Sequence, residues 1–548
     1  MKKPLSLIYF LVIALVMPGV QTFAQRKAEK LAATTAASVH GNADFINATQ
    51  LKDYLTFVAS DEMEGRDTPS RGLDTTAKYI ASQLSRWGVK PAGDDGSYFQ
   101  RIAMKRNKID PQQTRVEING QAFNYGEDFL TSLSPGSASG QVVYASHGWV
   151  FKAKNIDAYQ GIDVKGKIVV VTGAPPKDIS NKDFSGKQGE DWDFPTSAAQ
   201  KRGAIAVMQV AGFQTLANWN QSRQNALERG FATVDKFQSA TNSQIPSLII
   251  APRLVNVLFQ GEKQNATMIF NRAAASDSIE AFEFKAEKKV SMQIATRSEP
   301  TGTQNVIGVL EGSDPVLKNE YVAIGAHYDH VGIGLPVNGD AIYNGADDDG
   351  SGTVAVLAMA EAFARGTRPK RSILFIWHAG EEKGLWGSRY FTDYPTIPLN
   401  QIVACLNIDM IGRTKKENDV PANQPLPKPG EVFLIGPNMM STELKGISEA
   451  INQSYLKLNF DYRYDDIKHP DNFFFRSDHY NYARKGIPII FYMDGEHADY
   501  HRPSDHVDKI DFQNMEKIAR TIFATAWELA NRANRPKVDK IPSLEAGN

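Results

Sequence analysis

The chain has 548 residues, of which 42% are hydrophobic and 22% are charged, a composition typical of a globular protein with a sizeable core. Its 61 basic and 62 acidic side chains nearly cancel and no basic run stands out, so nothing in the composition points to nucleic acid or an anionic membrane as a partner. Because Cys405 is the one cysteine, an intrachain disulfide is excluded, and its apolar neighbours predict a buried, inert thiol.

The first 24 residues have the pattern of a secretory signal peptide. Lys2 and Lys3 precede an apolar run over 5–17, and small side chains at Thr22 and Ala24 suit cleavage after Ala24. The run is shorter than the roughly 20 residues that a membrane span needs. We therefore expect an exported protein, periplasmic or secreted, with no membrane span in the mature chain. A polar, flexible segment over 25–43 follows.

Two helices are predicted next, and a segment with a different sequence pattern follows them. The helices cover 49–59 and 74–87, and Gly88 ends the second. Over 135–256 the chain changes to short strands with frequent glycine, which we interpret as a β-rich domain inserted in a larger one, although these strands could also join the main sheet. The elements predicted within this segment are strands at 167–172, 204–210 and 247–250 and a helix at 196–202.

From residue 305 strands and helices alternate, which indicates an α/β fold. The strands are apolar runs without alternation, and this favours a mostly parallel sheet that is covered on both faces. The main domain is thus predicted in two parts, 44–134 and 257–534, with a tail over 535–548. The predicted strands are 305–310, 321–326, 372–377, 402–408, 432–435 and 487–492, and the predicted helices are 352–365, 442–455 and 512–531.

Imidazole and carboxylate side chains follow several of these strands, at the sheet edge where ligands of α/β proteins bind. Crowded carboxylates repel one another, and a bound cation relieves that repulsion. Nitrogen and oxygen ligands without thiolate fit zinc, with cobalt or manganese as substitutes. Spacing alone does not choose among neighbouring candidates such as His327 and His330, or Asp347 and Asp348. The candidates are His327, Asp329, His330, Asp347, Asp348, Asp349, Glu381, Glu382, Asp409, Tyr500 and His501.

These segments resemble the family of co-catalytic di-zinc exopeptidases, which includes secreted bacterial leucine aminopeptidases, glutamate carboxypeptidase II and the glutaminyl cyclases. The resemblance runs from about residue 47 to the last predicted helix and includes 59–66 (ASDEMEGR). The inserted segment is similar to the protease-associated domain often found in that family. The segments that carry the resemblance are 325–329 (GAHYD), 345–352 (GADDDGSG), 381–382 (EE), 407–410 (NIDM) and 500–501 (YH).

The resemblance implies a zinc-exopeptidase fold and a site for two Zn²⁺ ions per chain. His327 and Asp409 would bind one ion, and Glu382 and His501 would bind the other. Asp348 would bridge the two ions. The family pattern alone selects these residues over their neighbours.

The resemblance also implies roles for residues beside the ligands. The peptide bond between Asp348 and Asp349 would be cis, and Asp329 would accept the second ring proton of the histidine two residues before it. Glu381 would act as general base towards a water molecule. Tyr500 would either polarise the substrate carbonyl or simply pack against its neighbours.

The expected function is an exported zinc aminopeptidase acting on peptides with a free N-terminus. A carboxypeptidase or dipeptidase would need a cation for the terminal carboxylate, for which Arg413 is a candidate. A glutaminyl cyclase is disfavoured by the complete second ligand set. A metal-free binding or scaffold protein is the alternative from another class, and the intact ligand set argues against it.

Overall fold

The computed structural model describes residues 39–131, 135–184, 187–237, 244–275, 277, 279–416, 425–540 and 542. The predicted signal peptide lies outside these residues, as does most of the segment predicted to be flexible. Within the described part of the chain, no helix combines the length and apolar character that a membrane span requires.

The described residues contain one large mixed sheet with a parallel centre. Its four central strands run parallel, so the carboxyl ends of Ser372–His378, Tyr321–His327 and Ile402–Ile408 meet at one edge. In spatial order the ten described strands are Phe231–Val234, Phe99–Ile109, Thr296–Leu310, Ser372–His378, Tyr321–His327, Ile402–Ile408, Ile489–Met493, Glu431–Ile435 and Asn459–Asp461, with Lys90–Pro91 beside Thr296–Leu310.

The prediction of a mostly parallel sheet is wrong, because half of the sheet is antiparallel. The predicted strand at 305–310 is the end of a longer strand, Thr296–Leu310, which pairs antiparallel with Phe99–Ile109 and with Ser372–His378. The strand Phe99–Ile109 alternates buried and exposed positions at its start, as expected of antiparallel strands with one solvated face. Apolar runs that suit burial on both faces thus predict parallel pairing correctly only for the four central strands.

Helices cover both faces of this sheet. The predicted helix 512–531 is confirmed as Phe512–Asn531, and the predicted helix 74–87 begins earlier, at Arg71, because the Ser70 side chain accepts a hydrogen bond from Leu73 N. The larger core lies against Ala48–Val58, Arg71–Arg86, Gly352–Arg365, Thr442–Ser454 and Phe512–Asn531, and the opposite face packs against Trp386–Asp393, Pro437–Met440 and His479–Ala483. Cys405 is buried in this second core, as predicted.

A second sheet has its own hydrophobic core and is separate from the main one. Strands before and after the segment 135–256 also join it, whereas Phe231–Val234 from within that segment pairs with the main sheet. Its nine described strands are Gln121–Asn124, Arg115–Ile118, Lys289–Ile294, Gly136–Tyr144, Ile168–Val171, Ala206–Val210, Ser247–Ile250 and Phe129–Thr131, with Phe282–Glu283 at one side; the accompanying helices are Pro195–Lys201, Phe213–Ala217, Trp219–Gln224, Pro252–Phe259 and Ala266–Ala274.

Two small sheets complete the described structure. The first consists of Trp192–Asp193, Val150–Phe151 and Ile156–Asp157. The second is the hairpin of Gly332–Val337 and Asp340–Tyr343, which begins two residues after His330.

Candidate metal centre

The candidate ligands converge because they follow parallel neighbouring strands. His327 is the last residue of its strand, and Asp409 directly follows the strand Ile402–Ile408. Glu381 and Glu382 lie in the turn after the strand Ser372–His378. Asp348 comes from the buried turn Ala346–Ser351, and His501 comes from the loop after the strand Ile489–Met493.

Three side chains form one half of the centre, which we call the His327 group: His327, Asp409 and one oxygen of Asp348. His327 Nε2 lies 3.4 Å from Asp348 Oδ1 and 3.5 Å from Asp409 Oδ1. Asp349 also approaches His327 and Asp409, but its Oδ1 accepts hydrogen bonds from the backbone N–H groups of Gly352 and Met410. Of the carboxylate oxygens that face His327 Nε2, Asp348 Oδ1 is the nearest.

The other half, which we call the His501 group, has four members: His330, Asp348, Glu382 and His501. His501 Nε2 lies 3.0 Å from Asp348 Oδ2 and 3.1 Å from Glu382 Oε2. His330 Nδ1 lies 3.0 Å from Glu382 Oε1 and 3.6 Å from Asp348 Oδ2. Side-chain ligand atoms of all four residues lie within 4.8 Å of one another.

Asp348 connects the two groups through its two carboxylate oxygens. Oδ1 faces His327, while Oδ2 faces His501 and His330. The peptide bond between Asp348 and Asp349 is cis, as the family resemblance implies. A carboxylate with one oxygen in each group has the geometry required of a bridging ligand.

The donor set fits a divalent cation such as zinc. Asp348 Oδ2 and His501 Nε2 are both buried without a hydrogen bond, although they are only 3.0 Å apart. Nitrogen and oxygen ligands at about 2.0–2.1 Å from a tetrahedral zinc ion would lie roughly 3.3 Å from one another, close to the separations in both groups. Buried, unpaired and closely spaced donor atoms are thus arranged as ligands of a shared ion.

The electrostatics of the centre show an excess of negative charge. Burial opposes protonation of His501, but Asp348 and Glu382 together outweigh it and raise the pKa of His501 to about 10. Burial likewise opposes protonation of His327, yet Asp409 and Glu381 hold its pKa well above the usual range. Carboxylates that favour positive imidazoles this strongly favour a bound cation for the same reason.

Comparison with known families gives a direct match to the part of the chain that carries this centre. The family described as "Peptidase family M28" matches residues 305–526, a segment that contains every member of both groups. Residues 305–526 match peptidase family M28. The match agrees with the resemblance that the sequence segments of this stretch carry, and we call residues 305–526 the M28 segment.

Curated relatives of the chain carry aminopeptidase names. The "Leucine aminopeptidase 1" of Coccidioides posadasii is 29% identical over 280 residues, which are 49% of this chain and 65% of that protein. The "Probable leucine aminopeptidase" of Trichophyton verrucosum is 31% identical over 242 residues, or 42% of this chain and 57% of that protein. The matches thus span less than two thirds of these relatives' length.

Two solved structures share the fold beyond the M28 segment. The aminopeptidase of Aneurinibacillus sp. strain AM-1 aligns over 91% of this chain and 98% of its own, with a TM-score of 0.51 and 18% identity. The zinc aminopeptidase of Bacillus subtilis covers 91% and 99%, with a TM-score of 0.51 and 15% identity. At these identities the likeness concerns the fold alone.

Glu381 lies beside the candidate ligands, but it is farther from His327 than Asp348 and Asp409 are. Glu381 Oε2 lies 3.9 Å from His327 Nε2, and its side chain is 12% exposed. Burial raises the pKa of Glu381 well above its ordinary value; Glu382 and Asp409 add to this effect against the opposing charge of His327. A carboxyl group with a raised pKa next to a metal site suits proton transfer.

Asp329 orients His327 through its backbone as well as its side chain. His327 Nδ1 lies 3.1 Å from the carbonyl oxygen of Asp329 and 3.6 Å from its Oδ1. The carboxylate also accepts hydrogen bonds from Thr68 Oγ1 at 3.0 Å and Glu381 N at 3.2 Å. One buried carboxylate therefore links the candidate ligand His327 to the segment that holds the candidate base.

Arg66 is a buried positioning residue that the sequence reasoning missed. Its guanidinium donates to the carbonyl oxygens of Val58, Tyr328, Asn344 and Gly345, at 2.6–3.0 Å. These bonds fix the loops that precede His330 and Asp348. The family resemblance over 59–66 was the one signal that could have identified Arg66, but the local sequence looks like a polar surface turn.

Tyr500 lines the pocket beside the centre. Its ring stacks on His501 with centroids 3.9 Å apart, and burial raises the pKa of its hydroxyl. Three carboxylates of the centre form part of the pocket wall, and the remainder combines apolar side chains with Ser477 and the ion pair of Arg476 and Glu496. The lining residues are Asp348, Glu381, Asp409, Met410, Phe473, Arg476, Ser477, Phe491, Met493, Glu496 and Tyr500.

Arg413, the candidate clamp for a terminal carboxylate, is already paired. It lies 2.9 Å from Asp499 and 3.7 Å from Asp505, and it contacts His497 at 3.4 Å. In the wall of the pocket itself, Arg476 is paired with Glu496.

Proposed function

We propose that this protein is an exported aminopeptidase with two zinc ions in one active site. The observation that carries the proposal is the placement of Asp348, whose two oxygens face two different histidine groups inside the M28 segment. His327 and Asp409 would hold one ion, and Glu382 and His501 would hold the other. Metal analysis of the purified protein should give two zinc ions per chain, and the absence of bound metal would instead favour a binding or scaffold protein.

The chemistry is hydrolysis of a peptide bond. Zinc held by these residues would supply a Lewis acid that polarises a carbonyl group and lowers the pKa of a water molecule. Glu381 takes a proton from the attacking water and returns it to the leaving amine, while the Tyr500 hydroxyl donates a hydrogen bond to the scissile carbonyl. Asp329 keeps His327 in one orientation throughout.

The proposed substrates are peptides with a free N-terminus. The names of the curated relatives support this choice, and so does the engagement of Arg413 with Asp499. A carboxypeptidase would have to use Arg476, which would first have to leave Glu496. Peptides blocked at one end or the other decide between the two: the protein should release N-terminal residues from free peptides and leave N-acetylated peptides intact. Release of C-terminal residues from N-acetylated peptides would contradict the proposal.

We also propose that the second sheet with its helices is a protease-associated domain that controls access to the site. Its strands support bounds of about 115–294 for this domain, wider than 135–256. Both ligand groups found in the described residues lie outside it, at 327–501. Replacing the exposed Phe213 by serine should therefore leave zinc content unchanged, and loss of zinc would contradict a purely modulating role.

The proposal that the protein is exported depends on its N-terminal sequence. The mature chain is proposed to begin near Gln25, after removal of the predicted signal peptide. Mass spectrometry of the exported protein tests this, and an intact Met1 in that fraction would refute it.

A further inference from the structure

His330 lies in the centre but has no part in the ligand set assigned above. Its Nδ1 is 3.0 Å from Glu382 Oε1 and 3.6 Å from Asp348 Oδ2. These separations bracket the roughly 3.3 Å expected between two ligands of one tetrahedral zinc ion. His501 has the same two neighbours, at 3.1 and 3.0 Å. Both imidazoles thus lie against the same pair of carboxylates: they share Asp348 Oδ2, and each faces a different oxygen of Glu382.

The ring of His330 is fixed in this orientation by its surroundings. A Cβ atom on Gly345 would lie 2.5 Å from His330 Cγ, so only glycine leaves room for the ring. The His501 ring packs edge-on against it with centroids 5.4 Å apart, and His330 N donates to Arg66 O at 3.2 Å. His330 Nε2 is buried without a hydrogen-bond partner among the described residues, so the polar contacts of the ring all go through Nδ1.

We infer that His330 is a fourth protein ligand of the ion held by the His501 group. The inference rests on the proposed function and adds to it that the two ions have different numbers of protein ligands. The His501 group then supplies His330, Asp348, Glu382 and His501, whereas the His327 group supplies His327, Asp348 and Asp409.

Four protein ligands complete a tetrahedral zinc site, and three leave a position open. Closed sites are the structural type, and open sites are the type that admits water or substrate. The His327 group, with Glu381 3.9 Å from His327 Nε2, is therefore the half at which a substrate oxygen has access. The His501 group retains its ion more tightly.

The test uses the full-length protein brought to one zinc ion per chain by graded chelation. X-ray absorption at the zinc edge then counts imidazole ligands, since histidine rings give a distinct multiple-scattering pattern. Two imidazoles are expected, from His330 and His501. A single imidazole would overturn the inference. The His327 group supplies one imidazole, and so does the His501 group if His330 only donates a hydrogen bond to Glu382.

A variant and a matched control complete the experiment. In His330→Asn the imidazole count at one zinc should fall to one, and the chelator concentration that removes the last ion should fall at least 10–100-fold, the usual effect of losing a supporting contact at a metal site. His469→Asn removes a half-buried imidazole outside both groups, which packs edge-on against Tyr464, and should match the wild type in both measurements. An unchanged count in His330→Asn would overturn the inference.

The outcomes also separate this inference from the proposed function. A protein that binds no zinc refutes the proposed function itself. A protein that binds two ions, cleaves free peptides and shows one imidazole per retained ion refutes only the role of His330.

Discussion

Replacement of Glu381 by glutamine tests whether Glu381 is the general base while the adjacent Glu382 is a metal ligand. The Glu381 side chain is nearly buried, and its backbone N–H donates to Asp329 Oδ1 at 3.2 Å, a bond that the substitution retains. Glutamine has the same size and polarity but cannot accept the proton of a water molecule. The variant should therefore keep the two zinc ions of the proposed site and bind substrate almost unchanged.

The expected loss lies in turnover. General acid–base help contributes about 10²–10⁴ to a rate, and each factor of ten corresponds to about 1.36 kcal/mol of activation free energy. Glu381→Gln should thus lower kcat by about 10²–10⁴, or roughly 3–5 kcal/mol. The distance of 3.9 Å between Glu381 Oε2 and His327 Nε2 leaves Glu381 the outermost of the acidic neighbours of His327, consistent with unchanged metal binding.

Glu382→Gln is the matched comparison, because it makes the same chemical change one residue away. Both carboxylate oxygens of Glu382 face imidazole nitrogens, His330 Nδ1 at 3.0 Å and His501 Nε2 at 3.1 Å. An amide removes the charge and turns an NH₂ group towards one of them, so zinc content should fall. Metal content per chain and kcat are measured for both variants. If Glu381→Gln loses an ion while Glu382→Gln keeps two, the roles are reversed, and full activity with two ions in both variants would refute the site.

Three further substitutions test the surroundings of the centre. Arg66→Met removes the donor for four buried carbonyl groups and should lower the free energy of unfolding by about 3–5 kcal/mol, measured with denaturant; a loss below about 1 kcal/mol would be contrary to the proposed positioning role. Gly345→Ala places a Cβ atom 2.2 Å from the nearest backbone oxygen and should reduce zinc content, whereas Gly88→Ala, with a similar positive φ but no heavy atom within 4 Å, should retain it. Tyr500→Phe keeps the aromatic stacking and should lower kcat about 10²–10³-fold with both ions bound; unchanged kcat would mean that the hydroxyl only packs.

The central strands and long helices could be predicted because their sequence signals are local. The predicted strand 402–408 has the observed bounds Ile402–Ile408, since an uninterrupted apolar run suits burial on both faces. The strand Phe99–Ile109 was missed because its second half, KRNK, looks like a polar loop. Its partner strands, Phe231–Val234 and Thr296–Leu310, lie far away along the chain, and pairing with them makes it a strand.

The candidate site could be predicted only in part for a similar reason. The strand ends predicted from the sequence lie beside the imidazoles and carboxylates of the site, and the family pattern selects His327 over His330. The structure brings both histidines to the centre, because the chain turns after His327 and Gly345 leaves space for the second ring. Arg66 was not identified because its partners come from three separate parts of the chain.

The centre keeps its negative charge because the buried charged groups around it form their hydrogen bonds with the backbone. Asp505 Oδ2 accepts hydrogen bonds from the backbone N–H groups of Asp347 and Asp348, and Asp349 Oδ1 accepts two more from the backbone. Arg66 is a fully buried cation near these carboxylates, yet the described hydrogen bonds of its guanidinium group all go to backbone carbonyl oxygens. Backbone dipoles therefore hold the acidic turn in place without neutralising it. The carboxylate of Asp348 remains available to cations, and this is why a site so rich in buried charge is best explained by metal binding.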